Sequence, residues 1–423
     1  MKALGNFPYF WIMTKLLVIG CMWPEPASSA AGSRMLQLLD ALAGPDTAIT
    51  FVTTGQKTGH SEDLESRGIS CRKIELNHPS FDRFLLDLRP DIVMFDRFMT
   101  EEQFGWRVSQ NLPQALKLLD TEDLHFLRWC RREALRTGRD EVELRRESDL
   151  AKREIAAIYR CDLSLVISER EIEVLVEEFG IPPYLLLYLP FMVAGPSEEQ
   201  KSELPDFTGR KDLAFIGNFR HAPNADAVLY LRNEVWPEIR KRLPQAELHI
   251  FGAYTTDRQR ALANRSEGFL IRGRSEEAIR TLRNFRILLA PLRYGAGLKG
   301  KFIDAMLAGT PVITTPVGAE GMRWKNEFCG AVSSDPQTMA DLACDLYENQ
   351  ESWKRAQQKG FLILEHKFSR QRYSDLLNER VSRIRSELLA HRKANFTGSM
   401  LLFHRNNSTR YLSKYIELKN RDK

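Results

Sequence analysis

The sequence predicts an α/β protein of two doubly wound parallel-sheet domains facing each other across a cleft, followed by C-terminal helices. Three observations predict it. Short runs rich in Leu, Ile and Val alternate with segments of helical periodicity. The alternation occurs twice, on either side of a polar stretch containing several prolines. The chain has 423 residues, more than one hydrophobic core usually serves, since domains typically run to roughly 100–200 residues. Hydrophobic residues make up 43% and charged residues 28%, the balance of a globular chain rather than a disordered or fibrous one.

The first strand is expected at residues 16–20, within MTKLLVIG. Residues 7–23, FPYFWIMTKLLVIGCMW, are interrupted by Lys15 and lack a convincing cleavage site, so they read as neither a signal peptide nor a membrane anchor. A reading that starts at Met13 leaves residues 1–12 as an extension or a misassigned start. The loop CMWPEPASSAAGSR leads to the helical pattern MLQLLDALA and then to the strand AITFVTT at 48–54. DIVMFD (91–96), ALKLLD (115–120) and DLSLVIS (162–168) follow, apolar throughout, as strands covered on both faces must be. Residues 124–160 mix charges of both signs with apolar residues at helical spacing, which predicts one or two surface helices with a solvated face. Asp120 and Asp123, in DTED, suit either a helix N-cap region or the orientation of substrate hydroxyls. The tryptophans at 23, 106 and 129 are expected in the core.

Pro190, Pro196 and Pro205 punctuate a polar stretch, so a first domain over 13–190 and a linker over 191–210 are expected. The second cycle runs through strand DLAFIG, loop NFRHAPN, a long helix, strand AELHIFG, strand GFLIRG, helix SEEAIRTLRNF and strand ILLAPL. It fills a second domain over 211–365. Residues 366–390 read as helices packing back on the first domain, and 391–423 as a basic tail. Of the net charge of +5, residues 380–423 hold eleven Lys/Arg against three Asp/Glu, so the remainder is slightly acidic. Nucleic-acid binding usually shows as a basic stripe across the folded domain, and no nucleic-acid partner is expected here. The tail reads as a solvated extension or a contact with an anionic membrane. Six cysteines form no C-x-x-C pair and no His/Cys metal spacing, which points to free thiols in a reducing compartment. The expected location is therefore cytoplasmic, including the inner face of the membrane.

The chemistry concentrates in YGAGLKGKFIDAMLAGTPVITT, residues 294–315. Gly295, Gly297 and Gly300 let backbone approach a ligand closely, and a helix starting near Lys301 offers unpaired N–H groups that favour anions. Lys299 and Lys301 add full charges, while Asp304, three residues on, shares the side of the helix that carries Lys301. A cation beside a carboxylate at such a helix start suits a nucleotide, with diphosphate on the lysine and ribose on the aspartate. A turn carrying a surface salt bridge is the plainer alternative. Gly318, Glu320 and Gly321 lie at the next strand-to-loop junction, and Gly217, Arg220 and Asn224 lie at an earlier one, where a guanidinium could reach phosphate oxygens.

Residues 212–322, read as FIGNFRHAPNADAVLYL, LPQAELHIFG and LLAPLRYGAGLKGKFIDAMLAGTPVITTPVGAEGM, resemble the nucleotide-sugar half of retaining GT-B glycosyltransferases of the family-4 type, also called glycosyl transferases group 1. WPEPASSAAGSRMLQLL and LLDTEDLHFLR resemble the acceptor half. The resemblance implies two Rossmann-like domains, with acceptor binding in the first and donor binding in the second. It implies Lys301 and Arg220 on the donor diphosphate, Asp304 on the ribose, and Gly273 and Arg274 beside the base. Gly217, Asn224, Gly295, Gly297, Lys299 and Gly318 complete the expected donor site. Ser29, Gly32 and Arg34 would lie near phosphate or acceptor, and Asp123 and His125 would face the transferred sugar. Family members usually carry two Glu separated by seven residues. Here Asp304 stands for the second and the first is lost in Tyr294 and Gly295, while Ala31 and Gly32 replace a Gly-Gly pair.

The implied activity is transfer of a sugar from a nucleotide-diphosphate sugar to a glycan, lipid or other hydroxyl, with retention. Basic side chains would stabilise the leaving group. No D-x-D cluster is present, so neither metal nor cofactor is expected. A sugar-nucleotide epimerase or phosphorylase on the same plan, or a non-catalytic nucleotide-sugar-binding protein, are the alternatives.

Overall fold

The computed structural model describes residues 13–421, so the reading of residues 1–12 lies outside the described residues. Seven parallel strands form the first sheet: β1 (Thr14–Gly20), β2 (Thr47–Thr53), β3 (Ser70–Lys73), β4 (Ile92–Asp96), β5 (Leu116–Asp120), β6 (Leu163–Val166) and β7 (Leu186–Tyr188), in the order β3-β2-β1-β4-β5-β6-β7. Six more form the second: β8 (Lys211–Asn218), β9 (Leu248–Ala253), β10 (Phe269–Gly273), β11 (Phe285–Ala290), β12 (Val312–Thr314) and β13 (Gly330–Val332), in the order β10-β9-β8-β11-β12-β13. Both sheets reverse winding beside their first strand, between β1 and β4 (Leu16 against Ile92) and between β8 and β11 (Leu213 against Ile287). Such reversals open a crevice at the carboxyl ends of the strands, where open α/β sheets place ligands.

The apolar runs form strands because helices cover both sheet faces. Residues of β4, β5 and β6 are buried without exception. The covering helices include α1 (Ala30–Leu42), α2 (Arg97–Asn111), α3 (His125–Thr137) and α4 (Asp149–Arg160) on the first sheet, and α5 (Ala222–Tyr230) and α6 (Gly300–Leu307) on the second. Local signals set the helix starts. Ser29 Oγ caps α1 by accepting from Gly32 N at 3.1 Å, and Ser148 Oγ caps α4 by accepting from Ala151 N.

The chain crosses between the sheets twice, at Val193 and at Ser369, and the two crossings pair with each other. After the second crossing α7 (Arg370–Ser386) lies on the first sheet's layer, where Tyr373, Leu377, Val381 and Ile384 share a core with Leu16, Val18 and Leu38. Asn378 also donates to the Ala41 carbonyl at 2.8 Å.

Two expectations need correction. Residues 124–160 form three helices rather than one or two, namely α3, Glu141–Glu147 and α4, and their charged face is not simply solvated. Arg131, Arg145 and Arg160 are buried, bound respectively to Glu320, Glu178 and Glu101. The basic tail is structured: a short helix, Leu388–Ala394, precedes α8 (Phe396–Arg421). The inner face of α8 docks on α2 and α4 through buried Arg405, which pairs with Glu101, and through the Arg107 to Glu417 pair. Trp129 departs from the expected core and is half-exposed, whereas Trp23 and Trp106 are buried. Among the described residues, no helix is long and apolar enough to cross a membrane.

Candidate functional site

The carboxyl ends of the two sheets meet. An added Cβ at Gly300, the first residue of α6, would lie 2.6 Å from Ala30 Cβ at the start of α1, so the two helix starts abut. Gly297, in the left-handed region at φ 61°, packs where an added Cβ would lie 2.8 Å from Asp123 Cβ. Asn218 Nδ2 donates to the Ser28 carbonyl at 3.2 Å, and the Tyr254 hydroxyl donates to Glu25 at 2.7 Å. Glycine at 297 and 300 is therefore required by the closeness of the opposing domain as much as by any ligand.

Lys301 stands at the centre of the second domain's part. Its Nζ donates to Asn224 Oδ1 at 2.6 Å and lies 4.5 Å over the Phe215 ring. Asn224 in turn donates to the Asn218 carbonyl at 2.8 Å and presses on Gly217, where an added Cβ would come within 2.8 Å of the amide. Burial, reinforced by the charge of Lys299, pulls the Lys301 ammonium down to about 7, while burial pushes Asp304 up to about 7 against the pull of Lys301. The geometry thus joins Gly217, Asn224 and Lys301 into one unit at the start of α6, with Asp304 one turn further along the same helix, and the first N–H groups of α6 have no side-chain cap.

Arg220 stands exposed at the rim, its guanidinium 3.6 Å over the Tyr254 ring. Gly273, at φ 77°, ends β10, and Arg274 follows with a buried Nε that has no partner. β9 separates these two from Gly217, so they extend the site along the sheet rather than joining the Lys301 unit.

Several expected residues serve the frame instead. Lys299 is buried and donates to its own loop, to the Ala296 carbonyl at 3.1 Å and the Gly297 carbonyl at 2.6 Å. The Gly295 carbonyl accepts from Arg131 at 2.8 Å. Gly318 N donates to Thr315 Oγ1, and an added Cβ there would strike Thr314 Oγ1 at 1.9 Å. Ser29 caps α1, and Gly32 lets that helix approach the Glu25 backbone, which an added Cβ would meet at 2.4 Å. Arg34 is fully buried, paired with Asp120 at 2.8 Å and donating to the Leu189 carbonyl at 2.7 Å, so both residues of the pair help to hold the frame.

In the first domain, Asp123 is held well below the usual carboxylate range. Burial opposes this, but the Arg128 guanidinium bonded to it and His125 outweigh burial. His125 Nε2 lies 3.4 Å from Asp123, its ring is edge-on to Phe98, and burial lowers its pKa to about 4, so the imidazole is neutral near pH 7.

Sequence reading missed further groups. Glu171 Oε1 accepts from Leu124 N and from Gly297 N, each at 2.8 Å, and so ties the loop before His125 to the glycine loop of the other domain. Arg131 binds Glu320 across the cleft with two bonds of 2.7 Å. His221, in the NFRHAPN loop, has its pKa lowered by desolvation and by the nearby cations Arg128, Lys301 and Lys299, against the pull of Asp123. At the β1/β4 crevice, Arg97 and Glu122 both adopt left-handed backbone, at φ 70° and 62°, and such strain gathers at ligand sites. Asp96 Oδ1 and Glu122 Oε1 are buried there without hydrogen-bond partners, although Arg97 Nε lies 3.6 Å from Asp96 Oδ1. No spacing pattern announces any of these, except that Arg97 directly follows the end of β4 and Glu122 comes two residues after the end of β5.

Residues 210–349 match the family described as Glycosyl transferases group 1. A search of curated protein sequences found no match. Among solved structures, sucrose-phosphate synthase from Thermosynechococcus elongatus is similar at a TM-score of 0.67 and 14% identity, over 88% of this chain and 100% of that one. Anabaena HepE in complex with UDP-glucose gives 0.63 and 12%, over 87% and 99%. S. aureus TarM in complex with fondaparinux, alpha-GlcNAc-glycerol and UDP gives 0.56 and 15%, over 71% and 57%.

Proposed function

We propose that this chain, which has the GT-B fold and whose residues 210–349 match the group 1 glycosyl transferases, moves a sugar from a nucleotide-diphosphate sugar to an acceptor hydroxyl with retention and without a divalent ion. The observation that carries the reading is Lys301, a half-buried lysine held by Asn224 at the uncapped start of α6, opposite the start of α1. A leaving diphosphate gathers negative charge in the transition state, and groups fixed beforehand stabilise it without reorganising. Lys301 and the α6 amides meet that need, Arg220 swings off Tyr254 to complete it, and Asp304 accepts from the ribose. Gly273 and Arg274 flank the base.

The acceptor oxygen bonds to the anomeric carbon as that carbon's bond to the diphosphate breaks. The hydroxyl proton passes to the leaving phosphate oxygen on the same face. No separate strong base is needed, which agrees with a His125 that is neutral and a hydrogen-bonder to the donor sugar. Asp123 fixes that imidazole, and the β1/β4 crevice with Arg97 and Glu122 receives the acceptor. The acceptor is a glycan, free or lipid-linked, and the basic C-terminus makes a peripheral contact with an anionic membrane on its cytoplasmic face.

Thermal unfolding against UDP-, GDP-, TDP- and ADP-sugars, for wild type and Lys301→Ala, tests the reading. A ligand at about 100 times its Kd adds roughly 2.7 kcal/mol. One nucleotide sugar is expected to raise the wild-type Tm and to lose that effect in Lys301→Ala. No shift with any sugar would overturn the proposal.

A further inference from the structure

We propose that the outer face of α8 seats in the surface of an anionic lipid bilayer, lying in its plane rather than crossing it. The inference rests on the reading of the basic C-terminus as a membrane contact, and names the element and the face that make it. The inner face of α8 is fastened to the first domain by Arg405, Ser413 and Glu417. Phe396, Met400, Phe403, Tyr411, Tyr415 and Leu418 project the other way, each between 46% and 76% exposed. Steps of three, four and eight residues keep them on one stripe, a run of about 33 Å at 1.5 Å per residue. Single exposed apolar residues are ordinary, but six aromatic and aliphatic side chains on one face of a helix mark a contact surface.

Charge and composition identify the occupant. From Leu388 to Lys419 there are six Lys/Arg and one carboxylate, Glu417, which turns inward to Arg107. Arg392 and Arg405 are bound to Asp162 and Glu101, while Lys393, Lys414 and Lys419 are exposed. Phe and Tyr rings flanked by lysines suit the headgroup boundary, where the ring enters the acyl edge and the ammonium meets lipid phosphate. A second copy of the chain fits less well. Two such faces would bring like charges together, and the eight-residue step from Phe403 to Tyr411 breaks the 3.5-residue repeat that a paired helix needs. Because α8 is already folded and docked, seating it costs no helix formation, unlike a tail that orders on binding.

The test is co-sedimentation of the full chain with vesicles of phosphatidylcholine alone and of phosphatidylcholine mixed with phosphatidylglycerol. It compares wild type, Phe403→Glu/Tyr411→Glu/Tyr415→Glu and Lys393→Glu/Lys414→Glu/Lys419→Glu, with melting temperature and nucleotide-sugar binding as controls for folding. Wild type is expected to sediment with the anionic vesicles, and each triple variant to bind at least about tenfold more weakly. A Phe403→Cys variant carrying an environment-sensitive dye should shift its emission to the blue on those vesicles. If only the lysine variant loses binding, insertion is overturned while an electrostatic contact survives. If wild type ignores both vesicles, the membrane contact itself is overturned. If wild type is a dimer that Tyr415→Glu dissociates, without vesicle binding, the face joins two copies and the proposal fails. Nucleotide-sugar binding, measured on the same samples, reports separately on the transferase reading.

Discussion

Arg34 has no solvent at all, and its guanidinium divides between the Asp120 carboxylate and the Leu189 carbonyl. Removing one partner of a buried pair strands the other charge, so Arg34→Ala is expected to cost about 3–5 kcal/mol in urea unfolding. Catalysis should suffer only through lost folded protein. Lys301 behaves differently, because burial lowers its pKa to about 7. The unfolded chain keeps that proton up to the ordinary lysine range, so between about 7 and that range the unfolded state binds more protons. Stability therefore falls as pH drops from the ordinary lysine range towards 7, and below 7, where both states hold the proton, Lys301 changes it no further. Donor binding has the opposite sign, since a diphosphate needs the ammonium. Affinity for nucleoside diphosphate should weaken as pH rises above 7, with uptake of a proton that calorimetry in two buffers of different ionisation heat would detect. Lys301→Met should abolish the uptake.

The strands were legible in the sequence because a parallel strand covered on both faces must be apolar throughout, and Leu16 to Ile19 or Val93 to Phe95 offer no other reading. Lys301, Asn224 and Gly217 were legible for a related reason: each sits at a strand-to-helix junction, where glycine and charge stand out. What stayed hidden depends on partners distant in the chain. The arginines of α3 and α4 look like a solvated stripe until Glu320 and Glu101 are found against them, and the C-terminal tail looks loose until Arg405 reaches Glu101, 304 residues away. The bonds of Lys299 to its own loop were hidden too, because a lysine beside glycines looks the same whether it faces a ligand or its own carbonyls. For α8 the seating is tight at Gly398, where an added Cβ would lie 2.1 Å from the Tyr159 carbonyl oxygen. Gly398→Val should pry the helix off at a cost of about 1–3 kcal/mol. Hydrogen exchange should then quicken over residues 396–421 while β1, β4 and β8 stay protected.

At the scale of the whole molecule, the domains touch at the cleft through close packing, as of Gly300 on Ala30 and Gly297 on Asp123 and Ile167, and through polar links, besides the crossings at Val193 and Ser369. Arg131 to Glu320 is the strongest in geometry, a two-pronged pair with a further bond to the Gly295 carbonyl. Arg131→Ala should favour an opened arrangement, seen as a larger radius of gyration by small-angle scattering without ligand. Nucleoside diphosphate should restore it, at the expense of a raised donor KM. Glu171 has a subtler consequence. Its one oxygen is shared by Leu124 N and Gly297 N, so the loop that sets His125 and the loop that leads into α6 are ordered by the same atom. The protein is in this sense a coincidence detector: neither half can be fully assembled while the other is askew. A sugar donor held in a half-built pocket would be exposed to stray water, and the shared oxygen keeps that wasteful state from being a stable one.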